Sequence, residues 1–298
     1  MYPLLCCPLC KKDIFLENNT IICSSCSSRF SITENIPVFI DNDSITKHSC
    51  KQIDLFSMKI MEDLLNKVSK TSEFPFDAWH LSYIDKLRSS IPIQQENVII
   101  DIGTGSGYMA LELARRGNIV LACDINVNLL LIINKIAKKM NIPDQNLILF
   151  ACDALNLPIK TNVVDIFILN GVLEHLEKDE FALNEISRIC KKISYGFVSI
   201  PLSLKYVWPF FWLVNILSDL KLGHFRRYDE KSLKKLLSRY NFAIEKTFYT
   251  GHFVKVFGAI LKTLFKINIS DLYLEKIDYK KRYVKYGATN MISIIKRD

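Results

Sequence analysis

The stretch VIIDIGTGSG at residues 98–107 decides the fold. Its first five residues are mostly β-branched and apolar and predict a buried strand, and the three glycines that follow predict a loop that opens a helix. Amides at a helix N-terminus bind carboxylates and phosphates. A dinucleotide-binding fingerprint would place its third glycine at position 108, which is Tyr108. Asp101 ahead of the glycines would repel a pyrophosphate and suits a ligand that carries an ammonium group beside its carboxylate.

Apolar runs rich in Val and Ile alternate with helical patterns on both sides of this stretch. The predicted strands are Val98–Ile102, Ile119–Cys123, Leu147–Ala151, Val163–Leu169, Tyr195–Ile200 and Thr289–Ile295. The predicted helices are Ala78–Leu87, Tyr108–Arg116, Val127–Met140 and Phe181–Lys191. Strands that alternate with crossover helices imply a parallel sheet covered on both faces. No apolar run is long enough to predict a membrane-spanning helix, and the N-terminus does not read as a secretory signal.

Two carboxylates follow the next predicted strands. Asp124 closes the second strand about 20 residues after the glycines, where a carboxylate can accept hydrogen bonds from two ribose hydroxyls. Asp153 follows the third strand, where it can accept a bond from an adenine amino group while the amide of Ala154 meets the ring. The sequence thus predicts a nucleoside site at one end of the sheet.

Together these residues resemble the class I S-adenosylmethionine-dependent methyltransferases. The resemblance covers about residues 95–200 and includes Asn170-Gly171-Val172-Leu173-Glu174-His175 after the fourth strand. It implies an α/β fold with a doubly wound, seven-stranded, mostly parallel sheet of the Rossmann-like type, whose last strand is antiparallel. It also implies S-adenosyl-L-methionine as cofactor. The implied cofactor-binding residues are Asp101, Gly103, Thr104, Gly105, Gly107, Asp124, Ile125, Asp153, Ala154 and Asn170.

Four cysteines near the N-terminus have metal-ligand spacing. Cys7 and Cys10 form one pair, and Cys23 and Cys26 form a second pair 12 residues later. Two such knuckles present four thiolates at the tetrahedral geometry of structural zinc, the likelier metal for this donor set. Cys6 could replace Cys7 but breaks the paired spacing. A module of about 40 residues is too small to fold on apolar burial alone, so the metal would supply folding energy.

The cysteine-rich segment resembles the zinc-ribbon modules related to the tRNA-methyltransferase activator family. Asn35-Ile36-Pro37 stands where that family closes with Gly-Ile-Pro, so the match is partial there. The remaining cysteines, Cys50, Cys123, Cys152 and Cys190, are isolated, and we expect ordinary reduced side chains. The chain is then predicted to divide into the ribbon at 1–41, a linker with leading helices at 42–92, and the methyltransferase domain at 93–298, with cap insertions at about 202–228 and 251–287.

The segment after the fourth strand bears on the methyl acceptor. Nucleic-acid amino-methyltransferases of this family usually carry Asn/Asp-Pro-Pro-Tyr/Phe there, whereas the Leu-Glu-His version is commoner among enzymes that act on small molecules, quinones and lipid-like acceptors. His175 could deprotonate a hydroxyl acceptor, because an imidazole titrates near neutral pH, or it could only orient the loop with Glu174. The candidates on the acceptor side are Glu174, His175, His224, Arg226 and Tyr228.

The basic excess lies in the last third of the chain. The whole chain carries a formal charge of +8, and residues 201–298 hold 19 basic and eight acidic side chains. The aromatic run Tyr206–Leu217 and the amphipathic pattern Val254–Phe265 lie in this part. The basic region that begins in the pattern Val254–Phe265 contains Lys255, Lys262, Lys266, Lys280, Lys281, Arg282 and Lys285.

These features leave three interpretations. The first is a small-molecule or lipid-like acceptor, possibly anionic, with peripheral membrane contact from a cytoplasmic location. The second is an rRNA or tRNA methyltransferase whose basic third binds phosphates. The third is a non-catalytic scaffold that holds a protein partner through the ribbon.

Overall fold

The structure is a computed structural model of the 298-residue chain. It describes residues 3–40, 51–266 and 269–297, and within the helices it leaves the side chains of 51–57 and 263–265 undescribed. Cys50, most of the predicted linker before residue 51, and the side chains of Leu264 and Phe265 therefore lie outside the described part.

Eleven strands and nine α-helices are described. The strands are β1 Ile14–Glu17, β2 Thr20–Cys23, β3 Arg29–Thr33, β4 Ile36–Val38, β5 Val98–Ile102, β6 Ile119–Asp124, β7 Leu147–Ala151, β8 Val164–Asn170, β9 Cys190–Pro201, β10 Ala243–Thr250 and β11 Asn290–Arg297. The helices are α1 Lys51–Thr71, α2 Ala78–Ser90, α3 Tyr108–Arg115, α4 Val127–Lys139, α5 Asp179–Ile189, α6 Trp212–Leu222, α7 Glu230–Ser238, α8 Phe253–Phe265 and α9 Asp271–Lys280. Among the described residues, no helix has both the length and the apolar character needed to cross a membrane.

The sheet has eleven strands, and the prediction of seven was wrong. The strand order is β1-β2-β3-β4-β7-β6-β5-β8-β9-β11-β10. Strands β5 to β11 supply the seven that the resemblance implies, and β11 runs antiparallel to β10 as expected for the last strand. The four additional strands come from the cysteine-rich segment, which the sequence treats as a separate module.

The chain divides into two compact units. The first comprises Met1–Pro75, Gln94–Ile168 and Lys178–Ser194, and the second comprises Phe76–Ile93, Leu169–Glu177 and Tyr195–Asp298. Within the first unit, β5, β6 and β7 pair in parallel, because the crossover helices α3 and α4 return the chain to the same end of the sheet. Both helices bury their apolar faces. Asn126 caps the N-terminus of α4, and its side chain accepts hydrogen bonds from the Asn128 and Leu129 amides.

The cysteine-rich segment extends the sheet of the first unit. Val38 on β4 pairs in parallel with Ala151 on β7, and the Phe39 amide donates to the Ala151 carbonyl at 2.8 Å. A second seam joins Leu5 to Ile159 by an antiparallel bridge. The amide of Cys6 donates to the Pro158 carbonyl in that seam at 2.9 Å. Backbone hydrogen bonds on both sides therefore fix the ribbon to this edge.

A side-chain ion pair adds to this attachment. Lys11 Nζ lies 2.7 Å from Glu185 Oε2 on α5, and Arg188 brackets the same carboxylate. Burial would raise the pKa of Glu185, but the hydrogen bonds from Arg188 and Lys11 bring it below its ordinary value. The carboxylate is therefore ionised and paired at neutral pH.

A buried carboxylate organises the second unit. Asp278 on α9 is 2% exposed and accepts hydrogen bonds from the Thr250 hydroxyl, the amides of Gly251 and His252, and the His252 ring. Burial alone would raise the pKa of Asp278, but the bonds from His252 and the nearby charge of Lys255 hold it well below the usual range. The charged carboxylate therefore ties the end of β10 and the start of α8 to α9.

We predict that Asp278→Asn lowers the free energy of unfolding by about 3 kcal/mol, since it removes the charge from a buried hydrogen-bonded group and leaves donors unpaired. Urea unfolding followed by circular dichroism measures this change. Asp271→Asn on the same helix is the matched control, because Asp271 is exposed and its ion pair is with Lys262, which is also exposed. Equal stabilities of the two variants would contradict this role for Asp278.

Candidate functional site

The loop after β5 adopts a backbone that favours glycine at three positions. Gly103, Gly105 and Gly107 have φ angles of 65°, 55° and 73°, in the left-handed region that L side chains rarely adopt. A Cβ atom on Gly105 would meet no atom of the described chain closer than the Gly103 carbonyl, 4.0 Å away, so the space beside it is open to a ligand. A Cβ atom on Gly107 would lie 3.0 Å from the Ile133 side chain. Gly105 thus leaves room for a ligand, whereas Gly107 lets α3 pack on α4.

Asp101 holds this loop from beneath. It is 3% exposed, and its Oδ2 accepts the Thr104 hydroxyl at 2.7 Å. Burial raises the pKa of Asp101 to about 7, although the Thr104 hydrogen bond opposes that shift. A buried carboxylate with such a pKa is stabilised in its ionised form by a cationic ligand.

Asp124 at the end of β6 joins two turns of the nucleoside site. Its Oδ2 accepts the Gly105 amide at 3.0 Å, and its Oδ1 accepts the Asn126 amide at 3.0 Å. Both carboxylate oxygens therefore hold the backbone, one at the glycine loop and one at the start of α4. The half-buried side chain of Ile125 stands between these two positions in the chain.

The remaining predicted cofactor residues lie on two further segments. Asp153 and Ala154 follow β7 in the first unit and are partly exposed, and Asp153 Oδ1 accepts the Leu155 amide at 2.9 Å. Asn170 ends β8 and belongs to the second unit. The first unit therefore brings together every predicted cofactor residue except Asn170.

The four predicted metal ligands meet in one cluster. The Sγ atoms of Cys7, Cys10, Cys23 and Cys26 all lie within 4.8 Å of one another, with Cys10 and Cys23 3.3 Å apart. Tetrahedral zinc with bonds of about 2.3 Å would separate its sulfur ligands by about 3.8 Å, so the donor set fits such an ion. Cys6 is buried outside this cluster, so the geometry favours Cys7 over the alternative ligand.

Glu174 and His175 form a short 3₁₀ turn, Leu173–His175, in the second unit. Glu174 is 3% exposed, and within the residues that the structure describes its Oε2 has no hydrogen-bond partner. Burial raises the pKa of Glu174 to about 7. Burial and then the charge of His224 lower the pKa of His175 to about 4. Burial thus favours the neutral form of the His175 ring, and the role of His175 as a base or as a residue that orients the loop stays a prediction.

His224 lies beside this turn. Its ring meets the His175 ring edge-on, with centroids 4.7 Å apart. Its Nδ1 is 2.7 Å from Asp219 Oδ1, and Arg227 donates to both oxygens of the same carboxylate. Burial would raise the pKa of Asp219, but the bonds from Arg227 and His224 lower it. Asp219 is thus a charged anchor that fixes the orientation of the His224 ring.

The other two predicted acceptor residues serve the backbone in this structure. Arg226 donates to the Glu177 carbonyl at 2.5 Å. Tyr228 is buried, and its hydroxyl donates to the Leu173 carbonyl at 3.4 Å. Their bonds hold the segment around His224 against the turn that carries Glu174.

Asp219 and Arg227 are the residues of this cluster that the sequence did not single out. Asp219 lies on α6, inside a run of apolar residues. Arg227 stands next to Arg226 in a segment where either arginine could face solvent. The one sequence feature that indicates this contact is the spacing of Asp219 and His224 on either side of Gly223, where a helix ends. This indication is weak without the structure.

Helix α6 is apolar and has no buried residue. Its exposed apolar side chains are Trp212, Leu213, Val214, Ile216, Leu217, Leu220 and Leu222, and Trp208 and Phe210 precede them. Monomeric proteins rarely expose a contiguous apolar patch of this kind unless it binds something.

The basic face predicted from the spacing of the lysines on α8 is only partly free. Lys255 lies 2.6 Å from Glu275 Oε2, and Lys262 pairs with Asp271. These two lysines on α8 are neutralised within the second unit, so the regular spacing of Lys255, Lys262 and Lys266 does not make one free basic stripe.

Part of this chain is similar to known methyltransferases. Residues 100–198 match a family model described as a methyltransferase domain. Over 93 residues the chain is 30% identical to the demethylmenaquinone methyltransferase of Corynebacterium kroppenstedtii, a match that covers 31% of this chain and 37% of that enzyme. The chain thus matches only about a third of the length of this curated relative.

Solved structures share the fold at low sequence identity. A geranyl diphosphate C-methyltransferase from Streptomyces coelicolor aligns with a TM-score of 0.56 at 13% identity over 73% of this chain and 76% of its own. Phosphoethanolamine N-methyltransferase 2 from Haemonchus contortus aligns with a TM-score of 0.51 at 14% identity over 74% of this chain and 52% of its own.

Residues 100–198 are thus similar to a methyltransferase domain, and the solved methyltransferase structures share the fold of this chain. The family match begins at residue 100. It does not reach the ribbon at 1–41, so the likeness of that segment to the activator family stays a prediction.

We predict that Gly107→Ala destabilises the chain more than Gly105→Ala. Both substitutions force a left-handed alanine, at a cost of about 1–2 kcal/mol. Only the first also overpacks Ile133, which adds roughly 1 kcal/mol or more. Denaturant unfolding of the two variants and the wild type measures the difference. A loss of stability that is equal at both positions would show that α3 and α4 do not pack as described.

Proposed function

We propose that the protein is an S-adenosylmethionine-dependent methyltransferase. The observation that carries this proposal is the open loop at Gly105, between the carboxylates of Asp101 and Asp124, inside the segment that matches the methyltransferase domain family. Gly103, Gly105 and Gly107 would hold the methionine end of the cofactor. The cofactor supplies a methyl group on a sulfonium, which passes to a nucleophile of the acceptor and leaves S-adenosylhomocysteine.

The other roles follow from donor chemistry. Asp101, with Thr104, would balance the ammonium group of the cofactor. Asp124 and Ile125 would bind the ribose, and Asp153 with Ala154 would bind the adenine. We also assign Asn170 to the cofactor side, because it is the last residue of β8. Cys7, Cys10, Cys23 and Cys26 would hold a structural zinc, because four thiolates leave no open coordination position.

We propose a small or lipid-like acceptor. The curated relative is named for demethylmenaquinone and a structural neighbour for geranyl diphosphate, both acceptors with apolar chains. The exposed apolar helix α6 supports the same class, since an aromatic and aliphatic surface binds the acyl region of a membrane. The positive charge of residues 201–298 favours an anionic lipid surface. A cytoplasmic location stays a prediction from the sequence.

We predict that the full-length protein binds S-adenosylmethionine and that Asp124→Ala weakens this binding at least about tenfold, because hydrogen bonds to a charged group are worth about 1.5–3 kcal/mol. Isothermal titration calorimetry measures the dissociation constants. Asp124→Asn keeps the shape of the side chain and tests whether the charge matters. Asp144→Ala, at an exposed position in the same unit, is the matched control.

Two results would overturn the cofactor assignment. Wild-type protein that is folded and binds no S-adenosylmethionine would favour the scaffold interpretation. Binding that is unchanged in both Asp124 variants would place the cofactor elsewhere.

We predict that the protein floats with vesicles containing anionic lipid and that the double variant Leu213→Glu, Leu217→Glu abolishes most of this binding. The two leucines are one helical turn apart and 67% and 56% exposed. Their burial in the membrane would contribute about 1.5–3 kcal/mol each. The matched control is Leu272→Glu, Tyr273→Glu, which changes two equally exposed side chains on α9.

Loss of flotation in both double variants would show a general charge effect. Absence of flotation in the wild type, together with salt-sensitive RNA binding that falls on charge reversal of Lys280, Lys281 and Arg282, would replace the lipid-like acceptor by RNA.

A further inference from the structure

The second unit brings three metal-ligating side chains together outside the cysteine cluster. Glu174, His175 and His224 each place one donor atom within 4.8 Å of the other two. A divalent ion with bonds of about 2.1 Å would draw such atoms to roughly 3.4 Å apart. Two imidazoles and one carboxylate form the donor set of the open divalent sites in many enzymes.

The buried oxygen of Glu174 points to a cation. Buried carboxylate oxygens in folded proteins almost always have a partner. Among the described residues, Glu174 Oε2 has no hydrogen-bond donor although the residue is 3% exposed. Arg227 lies close enough to influence its charge but donates to Asp219, Leu202 and Asn215 instead. A bound cation would supply the missing partner.

The imidazoles are held as metal ligands are. His224 Nδ1 faces the Asp219 carboxylate, which leaves Nε2 for an ion, and Arg227 fixes Asp219 in turn. A carboxylate behind a ligating histidine sets its tautomer and orientation. The backbone carbonyls of Leu222 and Gly223 contact the His175 ring and so restrict its orientation.

The backbone keeps the three ligands in place. The Phe225 amide donates to the Glu174 carbonyl at 2.8 Å, and the Tyr228 hydroxyl reaches the Leu173 carbonyl. These bonds join the two segments that carry the ligands within the second unit.

We propose that Glu174, His175 and His224 bind a divalent transition-metal ion such as zinc. Imidazole ligands favour zinc and its neighbours over magnesium, which prefers oxygen ligands alone. Three protein ligands leave positions open, as at catalytic metal sites. On the proposed methyltransferase function, the open position takes an oxygen of the acceptor. The ion lowers the pKa of an acceptor hydroxyl, whose proton leaves to solvent, and so makes that oxygen a stronger nucleophile.

The zinc content of the full-length protein tests this site. Protein dialysed against buffered free zinc should hold about two equivalents, one in the cysteine cluster and one at Glu174, His175 and His224. Glu174→Gln and His224→Gln should each retain about one equivalent, since each removes a ligand and keeps side-chain size. Glu177→Gln is the matched control, an exposed carboxylate three residues from Glu174, and should retain both.

Outcomes for the metal and for the function are separable. S-adenosylmethionine binding, measured on the same preparations, should be equal in the wild type and the two glutamine variants. Neither variant changes the first unit, which holds every proposed cofactor residue except Asn170. Wild-type protein that holds one equivalent, or glutamine variants that both keep two, would overturn the metal site. Two equivalents of zinc without cofactor binding would overturn the proposed function and leave the metal site standing.

Discussion

The carboxylate of Asp124 is the interaction on which the candidate cofactor site depends. It receives one amide from the glycine loop after β5 and one from the start of α4, so a single side chain fixes two neighbouring turns. Three left-handed glycines alone would leave the loop with many accessible conformations. Asp124 is also the residue that we propose for ribose binding, so the side chain that fixes the loop would contact the cofactor directly.

Most of the sheet could be predicted because its signals are local. The strand Val98–Ile102 begins and ends as predicted, and α3 and α4 end one residue earlier than their patterns indicate. Buried parallel strands are continuous apolar runs, and the helices between them repeat apolar residues every three or four positions. The resemblance to the methyltransferases added the antiparallel direction of the last strand, which no local pattern contains.

The strand count could not be predicted, because it depends on a contact between distant segments. Strand β4 pairs with β7 where Val38 lies opposite Ala151. The apolar pattern of each strand does not indicate which strand will be its neighbour. The prediction of a free basic face that includes Lys255 and Lys262 was wrong for the same reason. Their spacing indicates a free basic face, but the acids that neutralise them, Glu275 and Asp271, lie on the next helix.

The candidate acceptor residues were predicted from a motif, and their environment differs from the one that ordinary pKa values assume. Burial separates the two neighbours Glu174 and His175 by moving the pKa of the first up and that of the second down. The sequence names both side chains and gives no measure of that burial. It also hides Asp219 and Arg227, whose bonds orient His224, because such partners are recognised only by position.

The attachment of the ribbon constrains what the ribbon can do. Strand β4 covers the edge of β7, and exposed edges are sites of unwanted pairing, so the ribbon completes the sheet of the first unit. Its backbone bonds at Cys6 and Phe39 and the ion pair of Lys11 with Glu185 make it part of that unit. In a module fixed in this way, the outer strand β1 is the one that remains for a partner to contact. Phe15 and Leu16 on this strand are exposed. If the four cysteines hold a metal as we propose, its loss would disturb the sheet edge next to Ala151, directly before Asp153 and Ala154, the residues that we propose for the adenine.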